Sequence, residues 1–242
     1  MRFKRRHNWE LSAEQAIALQ EELAAGSLRG EPPALAEIKL VAGTYATFSP
    51  DGKTAYGAAV VVSLPELEVV EKQRHIAPVP SKYEPGLLAF SIGPALCGAL
   101  EKLRAEPDVL MCWGHGRAHP RRIGLATHLG IIFNRPSVGV AIRLLWGTCA
   151  EPGPARGARS PIFINGEHVG FALRTRDEVN PLLVSPGYRM DMETACELVL
   201  RCCRGLRLPE PLRHARSEAR ILRHAALEGE HEERGPSNTE AQ

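Results

Sequence analysis

The run Asp108-Val-Leu-Met-Cys-Trp113 constrains the fold more than any other stretch of the chain. It is apolar without alternation, too short for a buried helix, and it ends where a glycine- and histidine-rich loop begins at Gly114. Such a run is a strand buried on both faces, so other layers must cover it above and below. Ser137-Val-Gly-Val-Ala141 and Leu182-Leu-Val184 repeat the pattern, and helical segments over 86–103, 123–132 and 190–203 precede, separate and follow these strands. Upstream, residues 37–48, 55–63 and 67–75 read as three consecutive strands, with the turn signal Pro50-Asp51-Gly52 after the first and Pro65 ending the second. A hairpin-linked meander followed by helices alternating with short buried strands predicts an α/β fold: one mixed sheet with helices on both faces, in a ribonuclease-H-like order.

The remaining elements punctuate this frame. Ser12-Ala-Glu-Gln15 has the form of a capping box and starts an amphipathic helix carrying Ile17, Leu19, Gln20 and Leu23. Residues 26–35 read as a linker and 151–160 as a loop. Asn165-Gly166 predicts a tight hairpin within 161–173. A last basic helix spans about 209–227. Residues 1–10 are expected to form an arm, 11–227 a single domain, and 228–242, charged and without apolar periodicity, a disordered tail.

Composition narrows the function classes. With 242 residues, 44% of them hydrophobic, the chain can bury a sizeable core. A formal net charge of +2 excludes a dedicated nucleic-acid coat, so phosphate binding has to come from local patches. Six cysteines without a CxxC pair argue against a zinc ribbon or a secreted disulfide framework, and for buried thiols in the reducing cytoplasm. The basic start has no apolar run behind it, and no stretch reaches the roughly 20 apolar residues of a membrane span, so no membrane partner is expected.

Two segments carry candidate chemistry. In Trp113-Gly-His-Gly-Arg-Ala-His-Pro-Arg-Arg122, a strand ends in a loop with two histidines and three arginines, the place where α/β sheets bind ligands. Arg117, Arg121 and Arg122 either hold phosphates or form a solvated basic loop. His115 and His119 have metal-pair spacing with Cys112 nearby, but Pro120 breaks the helix such a pair needs. In Tyr83-Glu-Pro-Gly-Leu-Leu-Ala-Phe90, an aromatic in a proline-rich loop precedes a helix start. Tyr83 either stacks against bases or caps the core edge.

Val41-Ala-Gly43, Pro85-Gly-Leu-Leu-Ala-Phe90, Ala118-His-Pro-Arg121, Gly139-Val-Ala141, Val184-Ser-Pro-Gly187 and Pro209-Glu-Pro211 with Arg213 together resemble endonuclease V, in order, from about residue 8 to 225. The resemblance implies the ribonuclease-H-like fold, recognition of deaminated bases, chiefly inosine, in DNA or RNA, and strand cutting with Mg²⁺ or Mn²⁺. It also implies nucleic-acid contacts at Tyr83, Gly86, Leu88, Gly114, His119, Arg121 and Gly124. The departures fall on the chemistry. Tyr45, Ile92 and Trp113 stand where the family has its metal-binding aspartate, glutamate and second aspartate. Ile142 replaces a lysine, Arg216 a histidine, and Tyr188 another histidine. Mg²⁺ demands oxygen ligands, which an isoleucine and an indole cannot supply and a neutral phenol supplies poorly. Asp108 lies roughly 16 Å from Trp113 at about 3.3 Å per residue. Asp51 sits in a turn, and Glu84, Asp191 and Glu193 do not make a full replacement set. The expectation is therefore a monomeric nucleic-acid-binding protein with catalysis lost or impaired and no cofactor, Mg²⁺ returning only if the family chemistry survives. The rivals are an active Mg²⁺-dependent endonuclease with a rearranged site and a protein-interaction scaffold.

Overall fold

The computed structural model describes residues 1–3, 7–27 and 31–233. Three antiparallel strands come first: β1 (Leu40–Phe48), β2 (Thr54–Ser63) and β3 (Val69–Pro78). Then α2 (Leu88–Glu101), β4 (Val109–Trp113), α3 (Leu125–Phe133) and β5 (Ser137–Ala141) alternate, with β4 parallel to both β1 and β5. A second antiparallel group, β6 (Thr148–Cys149), β7 (Arg159–Ile164), β8 (Glu167–Leu173) and β9 (Leu182–Pro186), completes one sheet in the order β3-β2-β1-β4-β5-β9-β8-β7-β6. The helices α1 (Ala13–Ser27), α4 (Met192–Arg201) and α5 (Glu210–Glu233) complete the fold.

The unalternating strands are buried on both faces, as their composition requires. Leu110 and Cys112 of β4 pack with α2 and α3, while Val109 and Met111 pack with α4 and α5. Local signals also hold. Ser12 and Gln15 form the reciprocal capping box, with the Gln15 N–H donating to Ser12 Oγ at 3.2 Å and the Ser12 N–H to Gln15 Oε1 at 3.0 Å. Asn165 and Gly166 both take positive φ, 53° and 80°, as a two-residue hairpin needs.

Two boundaries differ from expectation. The described part of residues 1–10 is packed against the domain: Met1 is buried, Phe3 stacks on Phe133 at 5.0 Å, and Trp9 lies against His128 at 5.6 Å. Apolar side chains spaced too widely for a periodic signal account for the missed packing. At the other end α5 runs on to Glu233, beyond the boundary expected at 227. Residues 4–6, 28–30 and 234–242, parts of the expected arm, linker and tail, lie outside the described residues.

Candidate functional site

The C-terminal ends of β4 and β5 meet the N-terminal ends of α2 and α3, and a cavity of about 200 Å³ opens there. Tyr83, Gly86, Leu88, Gly114, His119 and Gly124 line it together with Trp113 and Ile142. Six of the seven residues expected on the nucleic-acid side thus converge. The seventh, Arg121, stands behind the wall and braces it.

The floor is a closed hydrogen-bond network around Gly86. Its φ of +86° suits glycine and turns its carbonyl toward three donors: Gln20 Nε2 at 3.0 Å, His119 Nε2 at 2.9 Å and Arg121 Nη2 at 3.1 Å. Arg121 also donates from Nε to Gln20 Oε1 at 2.6 Å, and from its backbone N–H to His119 Nδ1 at 3.2 Å. With Nδ1 accepting and Nε2 donating, His119 is a neutral imidazole. Burial, opposed by the Gly86 hydrogen bond and reinforced by the neighbouring Arg121, pushes its pKa down to about 4. Gln20 is a member of this floor that the sequence places only on the amphipathic helix α1. Its signal was there: an amide on the apolar stripe of α1, only 1% exposed in the fold.

Helix starts form another part of the lining. Leu88 and Ala89 open α2 and Leu125 opens α3, so their backbone N–H groups belong to first turns that lack intrahelical acceptors. Gly124 precedes α3 in extended conformation, and a Cβ there would lie 2.3 Å from the His115 carbonyl oxygen. Only glycine lets the loop and the helix start approach so closely.

Tyr45, Trp113, Ile92, Ile142, Arg216 and Tyr188 behave differently. The register Thr44↔Cys112 sets Tyr45 beside Trp113, and their rings stand 6.0 Å apart at 44°. Both are partly buried and pack on the α4–α5 side of the sheet. Ile92, by contrast, is 4% exposed within the core on the α2–α3 side. Ile142 is half exposed at the cavity, whereas Arg216 lies on α5 away from the cavity lining, its Nε without a hydrogen-bond partner. Tyr188 donates its hydroxyl to Asn134 Oδ1 at 2.8 Å, closing the end of α3.

The acids considered as replacement ligands are engaged elsewhere. Asp108 Oδ2 accepts from the N–H groups of Lys39 and Leu40, and Asp51 accepts from Ser49 and Lys53. Asp191 caps α4, Glu193 pairs with Arg159 at 2.7 Å, and Glu84 is exposed on the Tyr83 loop. Among the described residues no three His, Cys, Asp or Glu side chains are grouped as a metal ion requires, so the donors present do not fit Mg²⁺. His115 bonds the Arg143 carbonyl and Cys112 is buried in the core, which separates the trio weighed from spacing.

The loop arginines correct a second expectation. Arg122 pairs with Glu167 at 2.6 Å and bonds the Ile164 carbonyl, Arg117 donates to the Met190 carbonyl, and Arg121 serves the floor. They brace the loop, because folding brings carbonyls and a carboxylate from β7, β8 and the segment before α4 within their reach.

Comparison with known proteins agrees with this layout. The family model described as endonuclease V matches residues 22–217. The endonuclease V of Gloeobacter violaceus is 42% identical over 223 residues, covering 90% of this chain and 89% of that protein. The crystal structure of endonuclease V from Streptomyces avermitilis superposes with a TM-score of 0.85 at 36% identity, over 90% of this chain and 96% of that one. That of Ciona intestinalis endonuclease V, in complex with a 23mer DNA containing an inosine followed by a ribo-adenosine, gives 0.77 at 26% identity, over 89% and 100%. The ribonuclease-H-like fold expected from the order of elements is the fold shared with these structures. Among the described residues no helix is long and apolar enough to cross a membrane. On matched span, identity and fold together, the chain belongs to the endonuclease V family.

Proposed function

We propose that this chain binds nucleic acid at a deaminated base, chiefly inosine, in DNA or RNA, and has lost the metal-dependent cutting step. The observation that carries the reading is the cavity itself: a fully hydrogen-bonded floor at Gly86 and His119 beside Trp113, which replaces a carboxylate. The N–H groups at the starts of α2 and α3 select an acceptor edge. Adenine presents an amino donor beside its N7, and deamination converts that donor into a carbonyl acceptor. Gly86, Leu88, Gly114, His119 and Gly124 form the base-binding side, Arg121 holds the floor in shape, and Tyr83, 49% exposed, stands at the mouth where it can stack or wedge. Neutral His119 adds no charge that would favour phosphate over base. The cutting step is lost because Tyr45, Ile92 and Trp113 stand where the family resemblance implies metal-binding carboxylates. The Ciona relative with inosine-containing DNA supports the ligand class. The protein is proposed to act as a monomer in the cytoplasm, where its six free cysteines stay reduced.

Gel-shift titration in EDTA tests the binding half: an inosine-containing oligonucleotide is expected to bind more tightly than its plain counterpart, and equal or absent binding refutes it. Incubation with Mg²⁺ or Mn²⁺ is expected to leave the strand intact, and nicking that tracks with the purified protein refutes the loss of catalysis. One feature favours a scaffold as second reading. Ile142 and Trp146, in the segment after β5, are 49% and 58% exposed, and a protein partner seated on them would be retained without salt-dependent DNA affinity.

A further inference from the structure

A second cavity, of about 450 Å³, opens at the same end of the sheet as the first, and Ile142 and Arg143 line both. It lies over the ends of β5 and β8 and the start of β9, with Arg143, Cys149, Glu151 and Arg207 in its lining. Its volume falls within the roughly 300–1,000 Å³ of small-molecule sites. Its charges are unbalanced. Arg122, Arg159 and Arg174 each hold a carboxylate, from Glu167, Glu193 and Glu151. Arg143 and Arg207 hold none among the described residues, and Glu151, the only acid in the described lining, is already engaged by Arg174 at 2.7 Å. Arg207 is nevertheless fixed in place. It donates from Nε to the Asn180 carbonyl at 2.7 Å and from Nη2 to the Pro181 carbonyl at 3.1 Å, while its own carbonyl accepts the Thr175 hydroxyl at 2.7 Å. Its Nη1 has no hydrogen-bond partner among the described residues, so two N–H donors are left over. Burial lowers the Arg207 pKa from its ordinary value and no carboxylate offsets that loss. A half-buried cation in this condition is stabilised by any anion that reaches it.

We propose that this second cavity is a phosphate-binding site, in which Nη1 of Arg207 and the exposed guanidinium of Arg143 donate to the phosphate oxygens. A guanidinium fork matches paired phosphate oxygens, and two forks on one cavity match a tetrahedral anion better than a planar carboxylate. The site goes beyond the base reading, since it requires neither inosine nor a metal. The phosphate belongs either to a nucleic-acid strand that crosses Ile142 and Arg143 from the first cavity or to a free ion, and the chemistry at the two arginines is the same.

Cys149 reports on this cavity directly, because it lines the wall and the other five cysteines are buried. Inorganic phosphate is expected to slow maleimide labelling of Cys149 saturably, and acetate at the same ionic strength is expected to leave the rate unchanged. Arg143→Ala, at an exposed position, is expected to raise the phosphate concentration needed for protection about tenfold, the worth of one charge-assisted hydrogen bond. Arg207→Lys keeps the charge and loses the fork, and it is expected to weaken protection by a similar factor while a melting curve confirms its fold. Arg220→Ala, exposed on α5, is expected to leave protection as it is. Phosphate that protects no better than acetate, or protection unchanged in both Arg143→Ala and Arg207→Lys, overturns the site. Protection by a plain single-stranded oligonucleotide that is lost in the same two variants assigns the phosphate to a strand, and protection by inorganic phosphate alone assigns it to the free ion; the site stands in both cases. Phosphate protection without any preference for inosine in the gel shift removes the base reading and keeps this site, and the reverse result removes this site alone.

Discussion

The cavity floor and the positions of Tyr45, Trp113 and Ile92 are held in opposite ways. On the floor, Gln20, Gly86, His119 and Arg121 satisfy one another, so each polar group is fixed by at least one partner. Tyr45, Trp113 and Ile92 are not joined into one such unit. Tyr45 and Trp113 lean on each other at one end of the sheet, and Ile92 has been absorbed into a different core on the other face. The comparison teaches that the floor is one hydrogen-bonded unit, whereas the Tyr45–Trp113 pair and Ile92 each answer only to their own neighbours on opposite faces of the sheet.

Ile92→Glu breaks this description most forcefully if the description is wrong. The side chain is 4% exposed and surrounded by apolar groups, so a carboxylate there is desolvated without a partner. The expected cost at pH 7 is about 4 kcal/mol, a fall in Tm of about 10 °C for a domain of this size. Trp113→Asp, partly exposed at the cavity, is expected to cost less than half as much. Equal costs in thermal melts would mean that the positions still form one environment.

The floor predicts a pH dependence of comparable size. His119 is held neutral in the fold with a pKa near 4, against an ordinary 6.5. Because the folded value is lowered, the unfolded chain binds the extra proton between these limits. Stability is therefore full above about pH 6.5 and declines as pH falls toward 4, by about 3 kcal/mol. Burial lowers the pKa of His115 as well, so it adds a decline of the same sign. His119→Gln is expected to flatten most of the curve in denaturant titrations between pH 4 and 7. An unchanged curve would remove His119 from the floor network. Gly124→Ala comes next: a Cβ 2.3 Å from a backbone oxygen cannot be relieved by a rotamer, and the loop must move, at about 2 kcal/mol. The same variant is expected to lose inosine binding, which separates it from a substitution that only destabilises.

Much of this was legible in the chain. Short unalternating runs marked β4, β5 and β9, Asn165-Gly166 marked a hairpin, and Ser12 with Gln15 marked the start of α1, because each signal is local and its physics acts over a few residues. The convergence of Gly86, Gly114, His119 and Gly124 was legible only through resemblance, since nothing local brings residues 86 and 119 together. What escaped were the long-range polar pairings. Arg117 and Arg122 read as free cations until the fold supplied Met190 O and Glu167, and Gln20 read as an ordinary helix residue until Gly86 arrived beside it. The side on which Ile92 would pack was equally invisible, because helix periodicity identifies a buried face without naming the core it joins.

The smallest effect on stability is expected at Tyr83, and it sharpens the comparison from the exposed side. Tyr83 is 49% exposed on its loop, so Tyr83→Ala is expected to change stability by no more than about 0.5 kcal/mol. Its effect on binding depends on what the ring does. A side chain that only stacks contributes equally to single- and double-stranded ligands, and its loss weakens both about tenfold. A wedge assists only where paired strands must be parted, so its loss weakens binding to an inosine-containing duplex while leaving the single strand nearly unaffected. A ring that merely caps the core edge would reverse the pattern, with Tm lowered by several degrees and both affinities intact. Parallel titrations of duplex and single strand, with a melting curve on the same preparation, distinguish the three. Only the first two outcomes place Tyr83 with the floor, as part of the surface that receives the base.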